Sequence, residues 1–156
     1  MSADQILGAP AGRTLVGDLV EALYAAAGAF RQQGDQIARG AGQSLARWEV
    51  LYVIGTAPIT VPAVARRLGR TRQSVQRVVD LLVGEGLVVP QPNAGHRRSS
   101  LLALTAAGQA TLTTINRVAR DQHMLVLQEF SPEEIEVLTT TLRRLTSLAR
   151  RRPDVD

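Results

Sequence analysis

The sequence predicts a mainly α-helical chain, broken near its middle by one short two-stranded ribbon. Three observations predict it. Apolar residues recur at three- and four-residue steps over most of the chain. Cap and stop residues mark short helices in the middle and long ones on either side. The helical period gives way only around residues 87–104, where short apolar runs stand on both sides of a polar loop. A length of 156 residues, 45% of them hydrophobic and 21% charged, is enough for one domain with a real core.

Residues 1–12 show no periodicity and read as a flexible tail, leaving 13–156 as a single domain. From Arg13 to about Arg39, Leu15, Val16, Leu19, Val20, Leu23, Tyr24 and Ala27 form a wide helical stripe that Gly40-Ala41-Gly42 ends. Ser44 caps a second helix with Leu45, Trp48, Leu51, Tyr52 and Val53 inward, stopping near Gly55. Thr60 caps a short helix over Val61–Leu68, with Pro62 tolerated in its first turn and Gly69 closing it. Thr71 starts the next helix, which runs to about Glu85 with Val75, Val78, Val79 and Leu82 on one face and Gly86 just past its end.

Leu87-Val88-Val89 then reads as a strand and Ser100 to Leu104 as its return, joined through the turn-rich run from Pro92 to Arg98. Thr105 caps a long helix to about Leu127, with Leu112, Ile115, Ala119 and Val126 inward. Ser131-Pro132-Glu133-Glu134 is a capping box with proline at the first helical position, a specific start signal. The final helix sets Ile135, Leu138, Leu142, Leu145 and Leu148 close to a heptad seam, and Arg150-Arg151-Arg152 complements its C-terminal end.

Two short helices joined by Leu68-Gly69-Arg70-Thr71 and followed by a ribbon make a winged helix-turn-helix. The charge distribution agrees with that reading. All 18 basic residues are arginine, and seven of them (Arg66, Arg67, Arg70, Arg72, Arg77, Arg97, Arg98) lie between Ile59 and Thr105 against only Asp80 and Glu85. The net charge of +4 thus belongs to the middle of the chain, as in a polyanion-binding module on a different scaffold.

On the helix opened by Thr71, the residues not spent on the core are Arg72, Gln73, Gln76 and Arg77. Arginine reads guanine O6/N7 and glutamine reads adenine N6/N7 in the major groove, so these form a base-reading set. Arg97 and Arg98, at the tip of the ribbon loop, suit a narrow minor groove. Arg66, Arg67 and Arg70 suit phosphate contact and ordinary helix-surface charge equally; Arg70, in the turn itself, joins the candidate interface.

From Leu45 to Gly108 the chain resembles the MarR (multiple antibiotic resistance regulator) family, above all in the run from Thr71 to Leu82 and in the spacing from Arg98 to Leu104-Thr105. The flanking helices match in order and length. The resemblance implies a winged-helix lobe over 44–105 and a dimerisation lobe formed by 13–39 and 106–152, with Leu15 and Leu19 joining Ile135, Leu138, Leu142 and Leu145. The leucine seam of the last helix calls for a partner independently. The resemblance further implies a homodimer on a pseudo-palindromic operator, repression of nearby genes, and a small-molecule effector that loosens the grip. Two departures stand out. His96 takes the place of the acidic residue usual two positions before the arginine matching Arg98, and the first wing strand is apolar (Val88, Val89, Pro90) where the family's is often basic.

Other classes fare worse. The absence of cysteine excludes disulfides, thiolate metal sites and thiol redox sensing. His96 and His123, the two histidines, lie on different elements without carboxylates at ligand spacing, so no metal or cofactor is expected. No nucleophile–base pair or phosphate-cradling glycine loop appears, which argues against an enzyme. The longest uncharged stretch, Val50 to Ala65, is broken by Pro58 and Pro62 and too short for a membrane span, and no export signal opens the chain; a soluble cytoplasmic protein is expected. The rival from another class is a winged helix used for protein contacts, which predicts no concentration of arginine on the recognition helix and wing. Tyr24, Phe30, Trp48 and Tyr52 are expected in the core, with Tyr24, Trp48 and Tyr52 as the alternative lining of a ligand pocket.

Overall fold

A computed structural model describes residues 14–95 and 99–150. The expected tail, the wing-tip residues His96, Arg97 and Arg98, and Arg151 and Arg152 lie outside the described residues. The elements run α1 (Leu15–Arg39), α2 (Leu45–Ile54), α3 (Val61–Leu68), α4 (Arg72–Gly84), β1 (Val88–Gln91), β2 (Leu101–Leu104), α5 (Ala106–Glu129) and α6 (Pro132–Arg150). The chain divides between Asn116 and Arg117 into two compact units, each described by itself.

In the first unit the core lies where α2, α3, α4, the ribbon and the start of α5 converge. Val50, Leu51, Val53, Ile54, Val64, Val75, Val79, Leu82, Val88, Leu102 and Leu112 are all buried there. Burying each of these large aliphatic side chains is worth roughly 1.5–3 kcal/mol. Tyr52 departs from expectation: it is 54% exposed. With residues 50, 51 and 54 spent on the core, a rotation of about 100° per residue carries position 52 off that face. Tyr24 and Phe30 are likewise exposed, since only the C-terminal part of α1, at Gly34 and Ala38, is buried. α1 therefore belongs with the winged-helix unit rather than standing apart from it. A Cβ on Gly34 would lie 2.8 Å from Leu45 Cδ1, and Asp35 accepts the Leu45 N–H at the start of α2.

The caps follow the sequence closely. Ser44 Oγ accepts from Arg47 N–H, Thr71 Oγ1 from Ser74 N–H and Thr105 Oγ1 from Gly108 N–H. Thr60 differs, making no side-chain cap bond, with Pro62 in the first turn of its helix. The ribbon is antiparallel and pairs Val88 with Leu104 and Pro90 with Leu102. Leu102 exchanges both of its backbone hydrogen bonds with Ile59, at 2.8 and 3.2 Å. Pro90 thus faces a position where its missing N–H leaves nothing unpaired, which lets β1 run on to Gln91 instead of stopping at Val89.

The start of α5 is fitted against the chain just past α4. Thr105 Oγ1 donates to Gly86 O at 2.6 Å, and a Cβ on Gly108 would fall 2.0 Å from Leu87 O. The helix and that backbone touch with no side chain between them.

In the second unit the capping box forms as the sequence proposes. Ser131 N–H donates to Glu134 Oε2 (2.8 Å), and Glu134 N–H donates to Ser131 Oγ (3.2 Å). No residue of α6 is buried, and Leu138, Leu142 and Leu148 are exposed. α1 in the first unit likewise exposes Leu15, Val16, Leu19 and Val20. No helix among the described residues is long and apolar enough to cross a membrane.

Candidate nucleic-acid interface

The turn between α3 and α4 is built on Gly69, whose φ of +63° is the left-handed conformation that an L side chain resists. It returns the chain so that Arg70 N–H donates to Ala65 O at 2.9 Å and the next residue, Thr71, opens α4. The Thr71 hydroxyl caps that helix while Ser74 Oγ donates back to Thr71 O, so two polar side chains fix its first turn.

The 3.6-residue period then sorts α4. Val75, Val79 and Leu82 are buried, while Arg72, Gln73, Gln76 and Arg77 are exposed. Arg72, Gln73 and Gln76 border a hollow of about 720 Å³ between α4, the start of α3 and the ribbon. Its floor is apolar, from Val61, Pro62, Val79 and Leu102, and its far rim is Pro90, Ser99 and Ser100. Arg77 is exposed on α4 but does not line this hollow.

The arginines divide by what they touch. Arg66, Arg72 and Arg77 have no ion-pair partner among the described residues. Arg70 pairs with Glu49 at 2.6 Å, Arg67 donates to Thr56 Oγ1 at 3.0 Å, and Arg47 pairs with Glu85. The Arg70–Glu49 pair, 41% and 29% exposed, is of the solvated kind worth at most about 1 kcal/mol, so Arg70 can exchange it for a phosphate at little cost.

Two residues that the sequence did not single out hold neighbouring side chains and the wing loop in place. Asp80, counted there only as a stray negative charge, accepts from Gln76 Nε2 at 2.7 Å and also lines the hollow. The i, i+4 spacing was the available signal. Asn93 Nδ2 donates to Ser99 O at 2.9 Å while its Oδ1 accepts from Gly95 N–H at 3.1 Å, which ties the two sides of the wing loop together. Arg97 and Arg98, named for the minor groove, lie outside the described residues, as does His96.

The structure does not gather Tyr24, Trp48 and Tyr52 into one pocket. Trp48 is half-buried, and its Nε1–H donates to Asn116 Oδ1 at 3.1 Å. α1 passes it at Gly34, ten residues and about 15 Å along the helix from Tyr24, which is 77% exposed. No group of three histidine, cysteine or carboxylate residues placed to hold a metal ion occurs among the described residues.

Comparison with known proteins agrees with this architecture. Residues 41–99 match the sequence model of the MarR family. An uncharacterized protein of Mycobacterium tuberculosis (strain ATCC 25618 / H37Rv) is 38% identical over 136 residues, spanning 86% of this chain and 95% of the relative. Among solved structures, a mutant MarR from E. coli complexed with operator DNA aligns with a TM-score of 0.72 at 21% identity, covering 83% of this chain and 94% of the other. The M. tuberculosis regulator MOSR in complex with DNA aligns with a TM-score of 0.68 at 22% identity, covering 85% and 98%. At such identities the likeness to the solved structures is one of fold. With the sequence match running from just before α2 to the wing, and the helix-turn-helix, ribbon and long flanking helices in the family's order, the chain belongs to the MarR family of winged helix-turn-helix transcriptional regulators.

Proposed function

We propose that this protein is a cytoplasmic, sequence-specific duplex-DNA-binding regulator that acts as a homodimer, represses nearby genes and releases DNA when a small molecule binds. The observation that carries the DNA-binding reading is the outer face of α4. Arg72, Gln73, Gln76 and Arg77 are exposed together, on a capped helix that the Gly69 turn and the ribbon leave open on one side. A helix of this kind fits the major groove, and its first turns reach base edges. Proteins of the same fold solved with DNA, one of them with operator DNA, support the reading.

The dimer reading is supported by the exposed apolar faces of α1 and α6, which are wider than isolated surface leucines. Two symmetric recognition helices on one face of a duplex call for half-sites about 34–36 Å apart. Relief by a ligand is supported by a family member of the same fold, a Staphylococcus aureus MarR solved with salicylate and kanamycin.

The test is to pull sheared genomic DNA down with the purified protein, sequence it, and measure binding to the recovered sites by anisotropy at two salt concentrations. Enrichment of a few promoter-proximal palindromes, held at the higher salt, is expected. Uniform binding that collapses with salt would reduce the interface to phosphate attraction. An absence of binding would favour a winged helix that contacts proteins.

A further inference from the structure

We propose that Asp80 is a positioning residue that fixes which base Gln76 reads. The inference rests on the reading of α4 as the base-contacting helix and goes one residue deeper into it. Gln76 Nε2 donates to Asp80 Oδ1 at 2.7 Å, both side chains are exposed, and both line the hollow between α4 and the ribbon.

The chemistry of the pair leaves one arrangement. An ionised carboxylate only accepts hydrogen bonds, so the amide nitrogen of Gln76, and not its oxygen, faces Asp80. A free glutamine amide turns about its last torsion and presents donor and acceptor in either order. The two orders suit different base edges: one matches adenine, which offers an N6 donor beside an N7 acceptor, and the other sets a donor against an acceptor such as thymine O4 or guanine O6. Held by Asp80, Gln76 keeps one N–H and the lone pairs of Oε1 in a single order.

Asp80 also places a negative charge on an otherwise basic face, where it opposes phosphate. It therefore lowers general attraction to DNA while sharpening the choice of sequence, the repulsive half of specificity.

The experiment compares the full-length parent with Asp80→Ala, Asp80→Asn and Gln76→Ala. Each is selected against a randomised duplex library and then titrated with the parent's preferred site and its single-base-pair variants. A bidentate contact discriminates bases by about 5- to 150-fold. Asp80→Ala is expected to lose most of that factor at the base pair that Gln76→Ala also relaxes, and to leave other positions unchanged. It should also bind random duplex more tightly at low salt. Asp80→Asn, whose amide can donate to Gln76 Oε1 as readily as its Oδ1 accepts from Nε2, no longer imposes one order and should relax the same base pair while sharing the gain in non-specific binding.

A pairing that merely stabilised the helix would lower the melting temperature of Asp80→Ala and leave its base profile like the parent's, and that result would overturn the proposal. Relaxation of every position together would overturn it as well. Failure of the underlying reading looks different, because the parent would then select no sequence or Gln76→Ala would leave the profile intact. Either result removes the proposal along with its foundation.

Discussion

Arg72 and Gly108 show two ways in which a single residue carries this molecule. Arg72, exposed in the first turn of α4 and with no ion-pair partner among the described residues, is free to meet a guanine edge. Arg72→Ala should weaken operator binding by about 1–3 kcal/mol and relax specificity at one base pair, as measured by anisotropy against single-base variants. Gly108 works by having no side chain. Its missing Cβ would lie 2.0 Å from Leu87 O, a contact that only backbone movement can relieve. Gly108→Ala should therefore cost about 1–3 kcal/mol or more and lower the melting temperature by several degrees in a thermal scan. The first residue was legible in the sequence, because helical period and a cap together decide which side chains of α4 point away from the core. The second was not, since a glycine one turn into a helix reads as a weak spot until the backbone it touches is known. Asp80 falls between them: its spacing from Gln76 was visible, but its role appeared only once both lay on the same open face.

Helices announced themselves better than strands did. The start of α4 at Thr71, the turn at Gly69 and the capping box at Ser131 were all readable, because each depends on hydrogen bonds between residues no more than a few positions apart. The extent of β1 was not readable, because it depends on Ile59, some thirty residues away, taking both backbone bonds of Leu102 and so freeing Pro90 to join the ribbon. The outward turn of Tyr52 has the same origin, for its neighbours on α2 were claimed by partners distant in sequence. The wing supplies a prediction at this scale. Asn93 bonds to Ser99 across the loop, so Asn93→Ala should loosen the wing and weaken DNA binding by on the order of 1 kcal/mol, with little change in melting temperature. Equal weakening and destabilisation would mean that the clamp belongs to the fold and not to the interface.

For the molecule as a whole, the arrangement of basic and apolar surface matters more than any one contact. The arginine-rich middle of the chain holds the candidate interface, while α1 and α6 each carry exposed aliphatic residues with no role in it. Leu142→Glu combined with Leu145→Glu should give a monomer in analytical ultracentrifugation and reduce operator affinity far more than any single phosphate contact would. A dimer that survived both changes would move the interface away from α6. Exposed leucines on α6 and α1 also have a consequence for the life of the protein in a cell. A chain whose apolar faces are covered only by association is most stable when it is abundant, so its melting temperature should climb with concentration. In the proposed dimer, newly made single chains would be the fraction most open to proteolysis, so copies too dilute to pair would be lost first.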